Sequence, residues 1–336
     1  MRPKLLRGHE KPITIVKFNF DGDLLFTGAS EKRINLWYAM SGERLGSFDT
    51  KSAVRTLDVT NDSQFMISGC TGGDLEIFRV DGGQLLGGFK IDARIYTVQL
   101  AYGDKKLLVL VDWFAKEKLG TTEFLIFDFE KIINKLKNNK KPEIISSEAE
   151  STLSFKKKYI QVRWGPLNKH IIAGRDDGHI ELIDLKGNVI KSVRAHEEGL
   201  NSFSLAKDFS MLLTASSEGS KIFDPETLKE IKNFKTEVPM NSGSLSPLIT
   251  DKKEPKYHAI IAGGVLARDA AKHKMGGFEI RLMNIIHEEE IGRIAGHYGP
   301  VNTVAFYPDG RGFVSGGEEG IIRLFRFDKK YFTDFE

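Results

Sequence analysis

The sequence predicts an all-β chain folded as one seven-bladed β-propeller over residues 1–336, and three observations carry that prediction. First, seven apolar or aromatic anchors each close a hydrophobic run: Trp37, Phe78, Phe127, Ile183, Phe223, Met283 and Phe325. Three of the gaps between neighbours are 40 to 42 residues, the spacing of WD repeats, which recur about every 40–45 residues. Second, the runs alternate, as in Ile13-Thr14-Ile15-Val16-Lys17-Phe18 and Val301-Asn302-Thr303-Val304-Ala305-Phe306; branched and aromatic residues in that pattern argue for strands. Third, Asp21-Gly22 and Asp309-Gly310 are pairs that tolerate the backbone angles of a short hairpin.

The elements follow in order. Lys4-Leu5-Leu6 precedes the first Gly8-His9 without a blade of its own, so it is expected to be the outer strand of the last blade, closing the ring and removing a free edge. The first unit then runs to Trp37 and the second to Phe78. Lys116-Glu117-Lys118-Leu119-Gly120 lengthens the third. Between Phe127 and Ile183 lies the lysine-rich segment 131–158, expected to be a basic loop insertion in which only Lys131 to Lys137 has helical character. Asp176-Asp177-Gly178 marks a tight turn in the fourth unit. Asp251 to Lys256 and residues 263–277 widen the sixth. The last unit carries Gly296-His297, Pro308-Asp309-Gly310 and Ser315-Gly316 before Phe325. Insertions in repeat proteins fall in loops, so the register survives them. The length would suit two ordinary domains, but propellers grow by radial repetition as single units.

Composition excludes several classes. No apolar stretch approaches the roughly 18 residues of a membrane span, and the N-terminus has no apolar signal core, so a cytoplasmic protein without membrane contact is expected. Cys70 is the single cysteine, which excludes an internal disulfide and a multi-cysteine metal site. Net charge is +3 from 49 basic and 46 acidic residues, too even a balance to predict nucleic-acid binding from the overall field. Local charge is uneven. Lys131, Lys135, Lys137, Lys140 and Lys141 are followed by Lys156, Lys157 and Lys158, and the last three are candidates for RNA contact. Only Phe155 and Tyr159 accompany them as stacking aromatics, and a solvated surface competes with that reading.

Catalytic and metal motifs fail on their own terms. His287-Glu288-Glu289-Glu290 resembles the opening of a zinc-protease helix, but Ile291 stands where the second histidine is needed. Gly82-Gly83 and Gly87-Gly88 lack the lysine of a phosphate loop and read as hairpin glycines. No Gly-x-Ser-x-Gly elbow occurs. No catalytic residue, metal or cofactor is expected. His9, His196 and His297 each open a unit, where WD repeats bond the imidazole to a turn acid and, through a hydroxyl, to the third-strand tryptophan. Glu31 and Glu319 stand at the acid positions, and Trp37 alone keeps the tryptophan. These four residues, His9, Trp37, His196 and His297, are therefore read as a structural blade network.

Longer strings carry a more specific resemblance. Met1-Arg2-Pro3-Lys4-Leu5-Leu6-Arg7-Gly8-His9-Glu10, Gly22-Asp23-Leu24-Leu25-Phe26, Asn35-Leu36-Trp37-Tyr38, Ser52-Ala53-Val54-Arg55-Thr56 and the segment from Phe278 to Glu336 resemble the i subunit of eukaryotic translation initiation factor three. The resemblance spans both ends and most blades; Gly263 to Ala270 departs from it. It implies a non-enzymatic scaffold that docks the C-terminal helix of the b subunit and part of the g subunit, supporting messenger RNA recruitment and scanning on the small ribosomal subunit. It also implies that partner-facing acids fall on Asp208 and Asp224. A signalling scaffold of the kinase-receptor-associated type is similar in general pattern and stands as the alternative. A direct RNA-binding propeller and an enzyme using the central channel are the readings from other classes. The channel enzyme would need acids or histidines at equivalent blade positions, where Thr14, Thr56, Thr97 and Asn201 stand instead.

Overall fold

The computed structural model describes residues 2–114, 120–137, 142–144, 149–251, 255–265 and 277–333. Seven separate sheets follow one another around a ring, each built around antiparallel strands consecutive in the chain. The first blade sets the pattern: β2 (Ile13–Phe18), β3 (Leu24–Ala29), β4 (Arg33–Tyr38) and β5 (Glu43–Asp49). The innermost strands of the next five blades are β6 (Val54–Val59), β10 (Ala93–Leu100), β15 (Tyr159–Trp164), β19 (Ser202–Leu205) and β23 (Met240–Leu245). The seventh contains β27 (Val301–Phe306), β28 (Gly312–Gly317) and β29 (Ile321–Arg326). Its fourth strand is β1 (Lys4–Arg7), paired antiparallel from Lys4↔Leu324 to Arg7↔Ile321. The chain's two ends thus meet in one sheet, where Leu6 is buried with Trp37, Tyr307 and Leu324.

Each anchor sits on a third strand and faces the same position of the second. Trp37 pairs Leu25, Phe78 pairs Met66, Phe127 pairs Leu107 and Ile183 pairs Ile171. Phe223 pairs Leu212, Met283 pairs Ala259 and Phe325 pairs Phe313. None is more than 6% exposed, as expected of residues whose faces pack against a neighbouring blade. A β-bulge recurs near the start of the innermost strand, at Ile13/Ile15, Val54/Thr56, Ile95/Thr97, Tyr159/Gln161, Met240/Ser242 and Val301/Thr303. An extra residue there raises the local twist.

The basic segment 131–158 is not one loop. Helix α1 (Phe129–Lys137) follows the third strand of blade three, with Asp128 Oδ1 accepting from the Lys131 N–H at 3.0 Å. Phe129, Ile132, Ile133 and Leu136 bury one face of it against Phe65, Leu86, Phe89 and Phe127. A short strand, β13 (Glu143–Ile144), pairs parallel with β9 (Leu85–Lys90) of blade two. Residues Ser151–Phe155 form β14, the outer strand of blade three. The helical character expected of Lys131 to Lys137 is met by α1, but third-strand anchors locate a blade and not its outer strand, so the lysine-rich composition obscured β14. Lys140 and Lys141 lie outside the described residues, as do 116–119 and 266–270.

Two glycine readings separate in the same way. Gly178 takes φ +87° in the turn between β16 (Ile171–Arg175) and β17 (His179–Ile183), where a Cβ would stand 2.0 Å from the His196 carbonyl oxygen. Gly87 and Gly88 lie within β9 rather than in its hairpin turn. A Cβ on Gly88 would meet the Leu75 carbonyl oxygen at 2.0 Å, so close strand approach is what demands glycine.

Candidate partner-binding surface

The blade-opening histidines form buried networks at one end of the propeller. Trp37 Nε1 donates to Thr27 Oγ1 at 2.9 Å, so the Thr27 hydroxyl is free to donate to His9 Nε2, 2.8 Å away. That leaves Nδ1–H to donate to Glu31 Oε1 at 2.6 Å. Burial pushes the His9 pKa below its ordinary value although Glu31 opposes the shift. In blade five His196 Nε2 lies 2.8 Å from Thr214 Oγ1, but Glu218 is 3.6 Å from Nδ1, beyond a good hydrogen bond. Burial holds this imidazole down at about 4.

Blades without the tryptophan use substitutes that the sequence did not reveal. In blade seven His297 stands 2.7 Å from both Glu319 Oε1 and Ser315 Oγ, and Arg323 Nη1 donates to the same carboxylate at 2.6 Å. Burial works against the Glu319 charge, yet bonds from His297 and Arg323 hold its pKa at about 2. Blade four has no such histidine. Its buried Glu181 accepts from Tyr159 Oη, from Lys157 Nζ at 2.9 Å and from Arg175 Nη1 at 3.0 Å. A charged residue inside an apolar strand, as in Ile322-Arg323-Leu324 and Ile180-Glu181-Leu182, was the available signal.

The three candidate RNA-contact lysines occupy the link from β14 to β15. Lys157 is tied to Glu181, and Lys158 Nζ lies 3.4 Å from Asp176. Lys156 is exposed and has no acidic partner among the described residues.

Asp208 and Asp224 stand at the opposite end of the molecule from the histidines, together on blade five. Asp208 lies in the turn from β19 to β20 (Leu212–Ser216), and Asp224 in the turn from β21 (Gly219–Phe223) to β22 (Glu230–Lys235). The cross-strand pairs Leu205↔Leu212, Leu212↔Phe223 and Phe223↔Glu230 place both turns on one blade end. Each acid braces its own turn with Oδ1. Asp208 accepts from the Ser210 N–H at 3.1 Å and its hydroxyl at 2.8 Å. Asp224 accepts from the N–H groups of Glu226 and Thr227 at 3.0 and 2.7 Å and from the Thr227 hydroxyl at 2.8 Å. Those bonds, the Thr227 N–H foremost, pull the Asp224 pKa down. Neither Oδ2 has a hydrogen bond among the described residues.

The surroundings of this blade end are mixed: exposed apolar side chains stand beside Lys207, whose Nζ lies 4.7 Å from the centre of the Phe20 ring. Phe20 is 55%, Tyr102 71% and Leu167 69% exposed, and with Phe209 and Pro308 two of them rim a shallow depression of about 570 Å³. Phe209 and Leu167 hold left-handed backbones, φ +60° and +53°; such a conformation is strained for bulky residues.

The central cavity, about 400 Å³, is lined by Thr14, Thr56, Thr97, Gln161 and Asn201. Among the described residues no group of three histidine, cysteine, aspartate or glutamate side chains could hold a metal ion.

Residues 1–336 match the EIF3I family model from end to end. The chain belongs to the EIF3I family. Eukaryotic translation initiation factor 3 subunit I of Xenopus tropicalis is 34% identical over 342 residues, covering 100% of this chain and 99% of that protein. The Drosophila melanogaster protein of the same name is 35% identical over 343 residues, with 99% of both covered. That of Nematostella vectensis is 34% identical over 336 residues, with 98% of both covered. EIF3I membership makes this chain a translation initiation factor subunit built on a seven-bladed propeller. Among its described residues no helix is long and apolar enough to cross a membrane.

Proposed function

We propose that this EIF3I chain is a non-enzymatic, cytoplasmic scaffold of initiation factor 3 that docks the C-terminal helix of the b subunit on the blade-five end, with part of the g subunit beside it. Through that assembly it supports messenger RNA recruitment and scanning on the small ribosomal subunit. The observation that carries the reading is the pairing of Asp208 and Asp224 on one blade end, each with an Oδ2 that makes no hydrogen bond among the described residues. Two carboxylates beside exposed aromatics give charge complementarity to a basic helix and apolar area for its other face. A direct RNA contact at Lys156, Lys157 and Lys158 is the weaker reading, because Lys157 and Lys158 are engaged by blade-four acids.

The test is a pull-down of the b-subunit helix by the Asp208→Lys/Asp224→Lys double variant. Lysine removes the Oδ1 bonds that brace each turn, a local loss at two surface turns outside the blade cores, while like charge against the helix costs several kcal/mol in an interface. The expected result is an unchanged circular dichroism spectrum with the partner no longer retained. Full retention by a folded double variant would move the docking surface to another blade.

A further inference from the structure

The innermost strands place one residue each in a ring at the channel end nearest the Asp208 and Asp224 turns. Lys17 pairs Phe26, Asp58 pairs Ile67, Gln99 pairs Leu108, Arg163 pairs Ile172, Ser204 pairs Leu213 and Ser244 pairs Ile260. All six line the central cavity. Its charged lining among the described residues consists of Lys17, Arg55 and Arg163 against one carboxylate, Asp58.

That carboxylate is fully engaged. Asp58 Oδ1 receives Lys17 Nζ at 2.8 Å and the Val59 N–H at 2.9 Å, and Oδ2 accepts from the Leu100 N–H at 2.9 Å. Arg163 is left over. Its Nε is shielded from solvent without a hydrogen-bond partner among the described residues, and so is Ser204 Oγ on the neighbouring blade. Ser244 Oγ accepts from the Phe306 N–H at 3.1 Å, which leaves its own hydroxyl hydrogen to donate. The Arg163 side chain is half-buried, and a guanidinium whose Nε is shielded and which has no ion-pair partner among the described residues is costly; burial pushes its pKa downward, and the nearby Asp58 charge opposes that shift. Donors without acceptors, surplus positive charge and an open cavity are together the makings of an oxyanion site. Arginine in particular matches the geometry of a phosphate oxygen pair.

We propose that this end of the central channel binds a phosphate-class oxyanion, either inorganic phosphate or the phosphate group of a small ester, through Arg163 with Ser204, Ser244 and Lys17. A cavity of about 400 Å³ holds a phosphate with room for a small ester's carbon skeleton. The site is independent of partner docking at Asp208 and Asp224.

Calorimetric titration of the full chain with inorganic phosphate and, separately, with glucose 6-phosphate tests the proposal, in chloride buffer of matched ionic strength. Saturable one-to-one binding of at least one ligand is expected. Arg163→Met should weaken it at least tenfold and Ser204→Ala severalfold. Tighter binding of the ester would identify a phosphorylated small molecule, and equal or tighter binding of free phosphate would identify the inorganic ion. Should Arg163→Met not fold, the wild-type titrations with Ser204→Ala decide. Absence of saturable binding by both ligands would overturn the proposal, and so would affinities unchanged by the substitutions.

Discussion

Replacing Trp37 by alanine probes the blade architecture at its most heavily loaded position. The indole is 3% exposed and packs in the cluster that joins Leu6, Leu25, Tyr307 and Leu324. It also donates to Thr27 Oγ1, which in turn serves His9. Truncating a buried aromatic to alanine costs about 3–5 kcal/mol, because the neighbours fill only part of the space left behind. With an unfolding entropy of about 2.1 cal/mol/K per residue, that corresponds to a fall in melting temperature of about 4–7 °C for a chain of this length. Trp37→Phe separates the two contributions. It keeps a six-membered ring but loses the N–H donor and part of the indole volume, so it should cost about 1–3 kcal/mol. Chemical and thermal denaturation of both variants, followed by circular dichroism, supplies the comparison. A cost below about 1 kcal/mol for Trp37→Ala would refute the reasoning, since no residue at the core of a blade could be removed so cheaply.

Other perturbations have equally definite outcomes. Deleting residues 1–7 strips β1 from β29 and removes Leu6 from its cluster, so the melting temperature should fall by several degrees; an unchanged curve would contradict closure through this strand. The binding deficit of Asp208→Lys/Asp224→Lys should grow as salt is lowered, because repulsion between exposed charges is screened less, and a salt-independent deficit would point to misfolding. His258, buried and bonded to Tyr331 Oη at 2.6 Å, is held down at about 4, chiefly by burial. Its folded pKa lies below the unfolded value of about 6.5, so its contribution to stability is complete above that value and is lost as pH falls toward 4. His258→Gln should flatten that part of the stability profile, leaving the share due to His196; parallel profiles for variant and wild type would sink the assignment.

The blades were readable because propeller geometry repeats one residue type at one place. An apolar side chain is required where the third strand crosses the second, so Trp37, Phe78 and Phe325 stand out even when the tryptophan is lost. Outer strands carry no such requirement. The exposed residues of Ser151–Phe155 obey no strong pattern, and of α1 only the helical character of Lys131 to Lys137 was legible, not that its apolar face would be buried. Polar networks were harder still. Glu181 is bonded by residues from three strands and the turn before them, and Arg163 gains meaning only from five other inner strands it never touches in sequence. Contacts of that kind depend on ring closure, which local patterning does not encode. On blade five, Asp208 and Asp224 are sixteen residues apart in the chain, and only the cross-strand register brings them to one end.

Affinity purification of the tagged full chain from its native cell, with every co-purifying protein identified and quantified, tests the central claim most directly. An initiation-factor scaffold predicts recovery of the b and g subunits in near-equal amounts with the bait. Recovery of the chain without any initiation-factor subunit would contradict it.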